Sequence, residues 1–193
     1  MRALAASILA AAALLAASSA TAQTISSYGR WDVVAGRAPD DGTPFCAMTS
    51  STADGRAFHV VWMERDRDLR LRIRDRTWQI QPGSSLPVRV EIDGVHTWTA
   101  RGRPLEPRLI EILIANRDIA TWERAWRRGL RMEIAFPGSA EPTWRFGLEG
   151  TNRATDAFVQ CIDRAQGTSA SARPSGPAIS PIPGTNPGAG KRF

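Results

Sequence analysis

Residues 57–74 read AFHVVWMERDRDLRLRIR, two strand-like segments separated by a run of charged residues. In the first segment, Ala57 to Glu64, Phe58, Val60 and Trp62 alternate with His59, Val61 and Met63. Alternation with this period is typical of a β-strand, and a strand with two partly apolar faces belongs in the centre of a sheet. The short charged link predicts an antiparallel return to a second strand.

The second segment, Leu69 to Arg74, alternates apolar residues with arginine, so its leucines and isoleucine should face the core and its arginines the solvent. This strand and the segment after it offer a candidate surface for binding an anion or a partner, made of Arg70, Arg72, Arg74, Arg76 and Trp78. The alternative is a solvated face with ion pairs, because Glu64, Asp66, Asp68 and Asp75 are interleaved with the arginines.

The same alternation predicts further strands on either side of this hairpin: Tyr28 to Val34, Phe45 to Ser50, Pro87 to Ile92, Val95 to Ala100, Leu109 to Ala115, Leu130 to Phe136, and a last one marked by Trp144, Phe146 and Leu148. Two segments have helical spacing: Arg117 to Arg128, with Asn116 as its cap and Gly129 as its stop, and Arg153 to Ala165. The fold class is therefore mainly β (α+β): an antiparallel β-sandwich or bent sheet of about eight strands, with two helices packed on it.

Seven tryptophans are available to fill a small core. We expect Trp31, Trp122 and Trp126 to be buried there. Trp78, in a segment between strands, is the tryptophan that we expect to be exposed.

The chain begins with Met1-Arg2, an apolar run from Ala3 to Ala17, and small residues up to Ala22. This order predicts a secretory signal peptide over residues 1–22, cleaved near Ala22-Gln23. The apolar run is too short for a comfortable transmembrane helix, and the alternative is an uncleaved N-terminal anchor. We expect a periplasmic or secreted protein with no transmembrane span after cleavage.

Residues 23–166 are enough for a single β-rich globular domain, whereas residues 167–193 form a Pro/Gly/Ser-rich tail that we expect to be disordered. The whole chain carries a net charge of +6, but the domain holds 21 arginines against 19 acidic residues. Because the positive charge of the domain is almost balanced, the basic composition of the chain does not indicate a nucleic-acid-binding protein.

Cys46 and Cys161 are the two cysteines of the chain, and an even number in an exported protein predicts a disulfide bond. Cys161 falls on the apolar stripe of the last helix, as a structural disulfide requires. The alternative is a pair of free, buried thiols.

No catalytic or metal-binding motif emerges from the spacing of the reactive residues. His59 and His96 are the two histidines, and neither lies in an HxH or HExxH pattern. Glu91 and Glu133 lie on strands and could be brought together for glycoside hydrolysis, although nothing singles them out. We therefore expect no catalytic residues, no metal and no cofactor.

Both ends of the domain carry short motifs of a known family. They are Gly29-Arg30-Trp31-Asp32-Val33, Cys46-Ala47-Met48, and Phe146-Gly147-Leu148-Glu149-Gly150 followed by Ala154, Ala157, Phe158 and Cys161. In these motifs, and in the order of elements from Tyr28 to Arg164, the chain resembles the invasion-associated locus B family of small exported proteins from α-proteobacteria. The resemblance implies a cell-envelope protein with no established catalysis.

We therefore expect a non-enzymatic periplasmic protein that acts by binding an envelope protein or an anionic envelope component. One alternative is a periplasmic inhibitor or immunity-type protein that caps an enzyme. Another is a carbohydrate- or lipid-processing enzyme.

Overall fold

A computed structural model describes residues 22–171 of the chain, with side chains through residue 167. This part forms ten strands and two helices: β1 (Gln23–Tyr28), β2 (Trp31–Arg37), β3 (Pro44–Ser51), β4 (Arg56–Met63), β5 (Leu69–Asp75), β6 (Leu86–Ile92), β7 (His96–Glu106), β8 (Leu109–Ile114), α1 (Asn116–Arg128), β9 (Arg131–Ala135), β10 (Trp144–Gly147) and α2 (Thr151–Ser171). The predicted signal peptide, apart from Ala22, and the predicted tail beyond Ser171 lie outside the described residues.

The ten strands form one antiparallel sheet in the order β1-β2-β3-β4-β5-β8-β7-β6-β9-β10. Strand β7 joins the two parts of this sheet. Its residues 96–102 pair with β6, whereas residues 103–106 pair with β8 across an irregular register. One long strand therefore belongs to both parts, and the sheet bends along it.

The bend brings the two ends of the sheet together around Trp31. The indole Nε1 of Trp31, on β2, donates a hydrogen bond to the carbonyl oxygen of Gly147, on β10, over 3.2 Å. The same fully buried ring packs edge-on against Trp126 of α1, with ring centroids 4.7 Å apart. The inner face of the sheet thus encloses a core into which α1 inserts its aromatic side chains.

Gly150 permits the backbone contact that completes this arrangement. Its φ of +91° lies in a region that residues with a side chain rarely adopt, and an added Cβ would clash with the carbonyl oxygen of Tyr28 at the end of β1. The turn that leads from β10 into α2 can therefore lie directly against the β1–β2 turn.

Helix α2 packs across β1, β2 and β3 and is joined to the sheet covalently. Cys161 of α2 forms a disulfide bond with Cys46 of β3, with the two Cα atoms 6.1 Å apart. Both half-cystines belong to the buried core. The predicted disulfide is confirmed, and it links elements 115 residues apart in the chain.

The predicted fold class is confirmed, although the described part of the sheet has ten strands instead of about eight. The segment Tyr28 to Val34 does not form one strand, because Gly29 and Arg30 make a turn between β1 and β2. Strand β1 is mostly polar and so lacks the apolar alternation on which the prediction depended. Strand β7 also continues six residues past the predicted end at Ala100.

Both helices differ in detail from the prediction. Asn116 is the first residue of α1 and makes no side-chain cap; instead, its backbone N–H donates to the carboxylate of Asp68 over 2.9 Å. Helix α2 extends to Ser171, beyond the predicted domain boundary at Gln166. The placement of Trp31, Trp122 and Trp126 in the core agrees with the prediction.

We expect the double substitution Cys46→Ser with Cys161→Ser to lower the free energy of unfolding by about 4–5 kcal/mol. The reason is the entropy of the unfolded chain, since the bond closes a loop of more than a hundred residues. Denaturant unfolding of the double variant and of the oxidised wild type, the latter with and without a reductant, measures the effect. An unfolding midpoint that reduction leaves unchanged would contradict a stabilising role for this disulfide.

Candidate functional site: a groove on the outer face of the sheet

The outer face of the sheet, opposite the helices, carries the arginines of β5. Leu69, Leu71 and Ile73 are buried in the core, as predicted, so Arg70, Arg72 and Arg74 point outward. Strand β8 lies beside β5, and Arg72 pairs in register with Glu111. This register places a carboxylate among the guanidinium groups.

Glu111 binds three arginines at once. Its Oε1 accepts from Arg70 Nη1 over 2.9 Å and from Arg103 Nη2 over 3.0 Å, and its Oε2 accepts from Arg72 Nε over 3.0 Å. The residue is only 3% exposed, so these hydrogen bonds replace nearly all of its contact with water. We call Glu111, Arg70, Arg72 and Arg103 the Glu111 cluster.

The electrostatics of this cluster favour the ionised carboxylate. Burial acts to raise the pKa of Glu111, but hydrogen bonds from Arg72, Arg103 and Arg70 outweigh it, and the pKa lies below its ordinary value. Arg70 also donates to Asp66 over 2.6 Å. Two of the predicted anion-binding arginines, Arg70 and Arg72, thus already bind carboxylates of the protein itself.

A groove with a volume of about 490 Å³ lies beside the Glu111 cluster on the same face. We call it the outer-face groove. Its lining is mostly apolar, with Ala47 and Val61 almost fully buried in its floor. Arg72 and Arg74 line one side, together with His59, and the carboxylates of Asp40 and Glu106 also line it.

Arg74 differs from its two neighbours on β5. Within the described residues, no carboxylate lies within ion-pair distance of its guanidinium group, and the side chain is exposed. Its N–H donors therefore have no carboxylate acceptor among the described residues, and they lie beside the apolar floor of the groove.

His59 is mostly buried in the groove wall. Burial, followed by the positive charges of Arg72 and Arg74, lowers its pKa from 6.5 to about 4. The imidazole is therefore neutral at pH 7, and the positive charge of this wall comes from the arginines alone.

The five predicted binding residues do not form one site. Arg70 and Arg72 belong to the Glu111 cluster, and Arg72 and Arg74 line the groove, but the Arg76 side chain lies against Gly55 in the β3–β4 turn. Trp78 is half-buried, not the exposed residue that we expected. It stacks on Trp144 with ring centroids 5.2 Å apart, and its Nε1 donates to Glu141 over 3.0 Å.

Of the residues considered for catalysis, the two histidines lie on different strands, whereas the two glutamates lie side by side. His59 lies on β4, and His96 lies at the start of β7, where it stacks on Trp98. Glu91 and Glu133 are direct cross-strand neighbours on β6 and β9, but Glu133 accepts a hydrogen bond from Arg145 and forms an ion pair with Arg131. In residues 22–171, no three potential ligand side chains are grouped as a metal site, and no helix is long and apolar enough to cross a membrane.

The described residues form a small, disulfide-linked domain built on one bent antiparallel sheet. No protein-family model and no curated protein matches the sequence. Among solved structures, the chain is similar to the crystal structure of invasion associated protein B from Bartonella henselae, with a TM-score of 0.51 and 18% identity. The match covers 72% of this chain and 97% of that one. The resemblance seen in the sequence is thereby confirmed as a shared fold.

Sequence reasoning missed the residue that organises the outer face. Glu111 is the one charged residue in the otherwise apolar stretch Leu109–Ile114, and that isolation is the signal that could have identified it. The groove floor had a signal as well, because β4 was apolar on both faces. The sequence could not show that β8 lies beside β5, because residues 76–108 separate these two strands in the chain.

We expect Glu111→Gln to destabilise the protein by about 1.5–3 kcal/mol at pH 7, because three arginines lose a charged acceptor. The pKa of Glu111 is lowered by folding, so its contribution is complete above its ordinary value of 4.5 and is lost as the pH falls through the folded-state pKa. Urea unfolding at neutral and at acidic pH tests this dependence. Glu149→Gln, which changes an exposed carboxylate, is the matched control. A difference between Glu111→Gln and wild type that does not shrink in acid would refute the argument.

We expect His59→Gln to remove part of the acid sensitivity of the protein. The pKa of His59 is lowered from 6.5 to about 4, so the unfolded chain takes up this proton first and the folded state loses stability between those values. The loss amounts to about 2–3 kcal/mol by pH 4. Unfolding free energies measured across this range should fall less steeply in His59→Gln than in wild type or in His96→Gln, which alters an exposed histidine. Parallel curves for all three proteins would show that His59 is not protected from protonation.

Proposed function

We propose that this is a non-enzymatic protein of the cell envelope that acts by binding an anionic envelope component in the outer-face groove. The predicted signal peptide and the Cys46–Cys161 disulfide support an exported protein, since such bonds persist in oxidising compartments. The structural likeness to invasion associated protein B supports a related role.

The observation that carries this proposal is the pairing of an apolar floor with an arginine that has no carboxylate partner within the described residues. Ala47 and Val61 offer a surface to a hydrophobic group, and Arg74 stands at its edge. Asp40 and Glu106 disfavour an anion near their own positions. The groove therefore suits a molecule that carries a negative charge at one end and an apolar part beside it.

The cluster around Glu111 supports the same ligand class. Arg72 donates its Nε to Glu111, which fixes the guanidinium plane while its remaining N–H groups stay available on the groove side. Arg72 and Arg74 are two residues apart on one strand and therefore lie on the same face. Together they form a preorganised anion contact at the groove wall.

The test is to recover tagged protein from native envelopes and to identify co-purifying molecules by native mass spectrometry. We expect wild type to carry a bound anionic amphiphile. The amount that co-purifies should fall at least about tenfold in Arg74→Glu, which reverses the charge at the groove wall. Ala47→Leu, which fills the floor, should have the same effect. Arg89→Glu, an exposed change on β6, is the charge-matched control.

Other outcomes of the same experiment would overturn the proposal. A molecule retained equally by wild type and by both groove variants would place the binding site elsewhere. A stoichiometric enzyme partner, insensitive to the groove variants, would favour the inhibitor or immunity-type alternative. Turnover of a glycan or lipid that Glu91→Gln or Glu133→Gln abolishes, without unfolding the protein, would favour an enzyme.

A further inference from the structure

Two turns at one end of the molecule expose aliphatic side chains to solvent. Val95 follows the Asp93-Gly94 turn between β6 and β7 and is 74% exposed, and Leu130 follows Gly129 between α1 and β9 and is 81% exposed. They are the two most exposed large apolar side chains in the part of the chain that the structure describes. We call these two turns the apolar tip.

The apolar tip is held rigidly by Asp93. Its carboxylate accepts hydrogen bonds from the backbone N–H of Leu130 and of Arg131, over 3.0 and 2.8 Å, and its own N–H donates to the carbonyl of Arg131. Gly129 fits against β6 so closely that an added Cβ would lie 2.5 Å from Ile92 Cγ2. The exposure of Val95 and Leu130 is therefore built into the turns and is not the result of a loose loop.

A cavity of about 340 Å³ lies between the apolar tip and the exposed side of α1. Arg124 and Arg128, one helical turn apart, line it together with His96. Neither arginine has a carboxylate within ion-pair distance among the described side chains, whereas the intervening Arg127 pairs with Glu123 and Asp156. The carboxylate of Asp93 also lines the cavity, but it is engaged by the backbone of the neighbouring turn.

We propose that the apolar tip docks onto the surface of an anionic phospholipid bilayer. Val95 and Leu130 enter the interfacial region, and a lipid phosphate occupies the cavity beside Arg124 and Arg128. Exposed aliphatic groups flanked by unpaired cations are the two components of reversible membrane-surface binding. Two projecting side chains offer much less apolar area than a stable protein–protein interface buries, so a bilayer is the partner that this surface fits.

The test is co-sedimentation of the protein with phospholipid vesicles. The protein is purified after export, and its N-terminus is established by intact mass. We expect binding to vesicles of phosphatidylcholine with phosphatidylglycerol, weakened by salt, and much less binding to phosphatidylcholine alone. Val95→Ser with Leu130→Ser should reduce binding at least about tenfold, and so should Arg124→Gln with Arg128→Gln.

Matched controls separate this surface from general effects of charge and hydrophobicity. Leu113→Ser removes an exposed leucine from β8, and Arg67→Gln with Arg117→Gln removes two exposed arginines elsewhere; both should bind vesicles like wild type. The groove variants Arg74→Glu and Ala47→Leu are scored by the ligand recovered from native envelopes, and the tip variants by vesicle binding, so this proposal and the proposed function can fail separately.

Three results would overturn the proposal. One is binding that the tip variants and the controls reduce equally. Another is binding to neutral and anionic vesicles alike, which an uncleaved apolar N-terminus would produce. The third is absence of binding to the anionic vesicles at low salt, whether or not the apolar tip binds soluble glycerol phosphate or a protein partner.

Discussion

The contact between Trp31 and its surroundings is the constraint on which the rest of the structure depends. A ten-stranded sheet exposes two large faces, and this one can bury its inner face only by bending until β2 reaches β10. Trp31 supplies both parts of that closure, because its ring packs on Trp126 and Phe58 while its N–H binds Gly147. An aromatic side chain with a polar N–H can fill a core and satisfy a strand-edge carbonyl at the same time.

Closure on the inner face leaves the outer face to be stabilised by other means. Strands β4, β5 and β8 are central, so their outward side chains are partly shielded by neighbouring strands. A lone carboxylate there would be costly to desolvate, and a row of arginines would repel itself. The Glu111 cluster resolves both difficulties with one set of hydrogen bonds. Arg74 is left out of that arrangement and lines the adjoining groove.

The sequence predicted the elements that have a strong local pattern. The alternation in β4 and β5 and the apolar stripe of α2 are properties of short segments, and each was interpreted correctly. The polar strand β1 has no such pattern, because it is an edge strand that contributes little to the core. The hydrogen bond from the first N–H of α1 to Asp68 and the stacking of Trp78 on Trp144 depend on residues far apart in the chain.

The candidate site was predicted only in part for the same reason. The arginines of β5 could be assigned to the outer face from alternation alone, but their partners could not. Whether an arginine is available to a ligand depends on the strand beside it, and β8 reaches β5 from almost forty residues away. Sequence reasoning therefore weighed two readings, an anion-binding ladder and an ion-paired face. The structure shows ion pairs at Arg70 and Arg72, whereas Arg74 has no carboxylate partner among the described residues.

Strand β7 sets the distance between the two proposed binding surfaces. His96, at its start, lines the cavity beside the apolar tip, whereas Leu105 and Glu106, at its end, line the outer-face groove. Nine residues of extended strand span at most about 30 Å. The two surfaces at opposite ends of this strand share no lining residue, so each can bind its own ligand. A protein that docks on a bilayer through the apolar tip would still hold its outer-face groove free for a second envelope component.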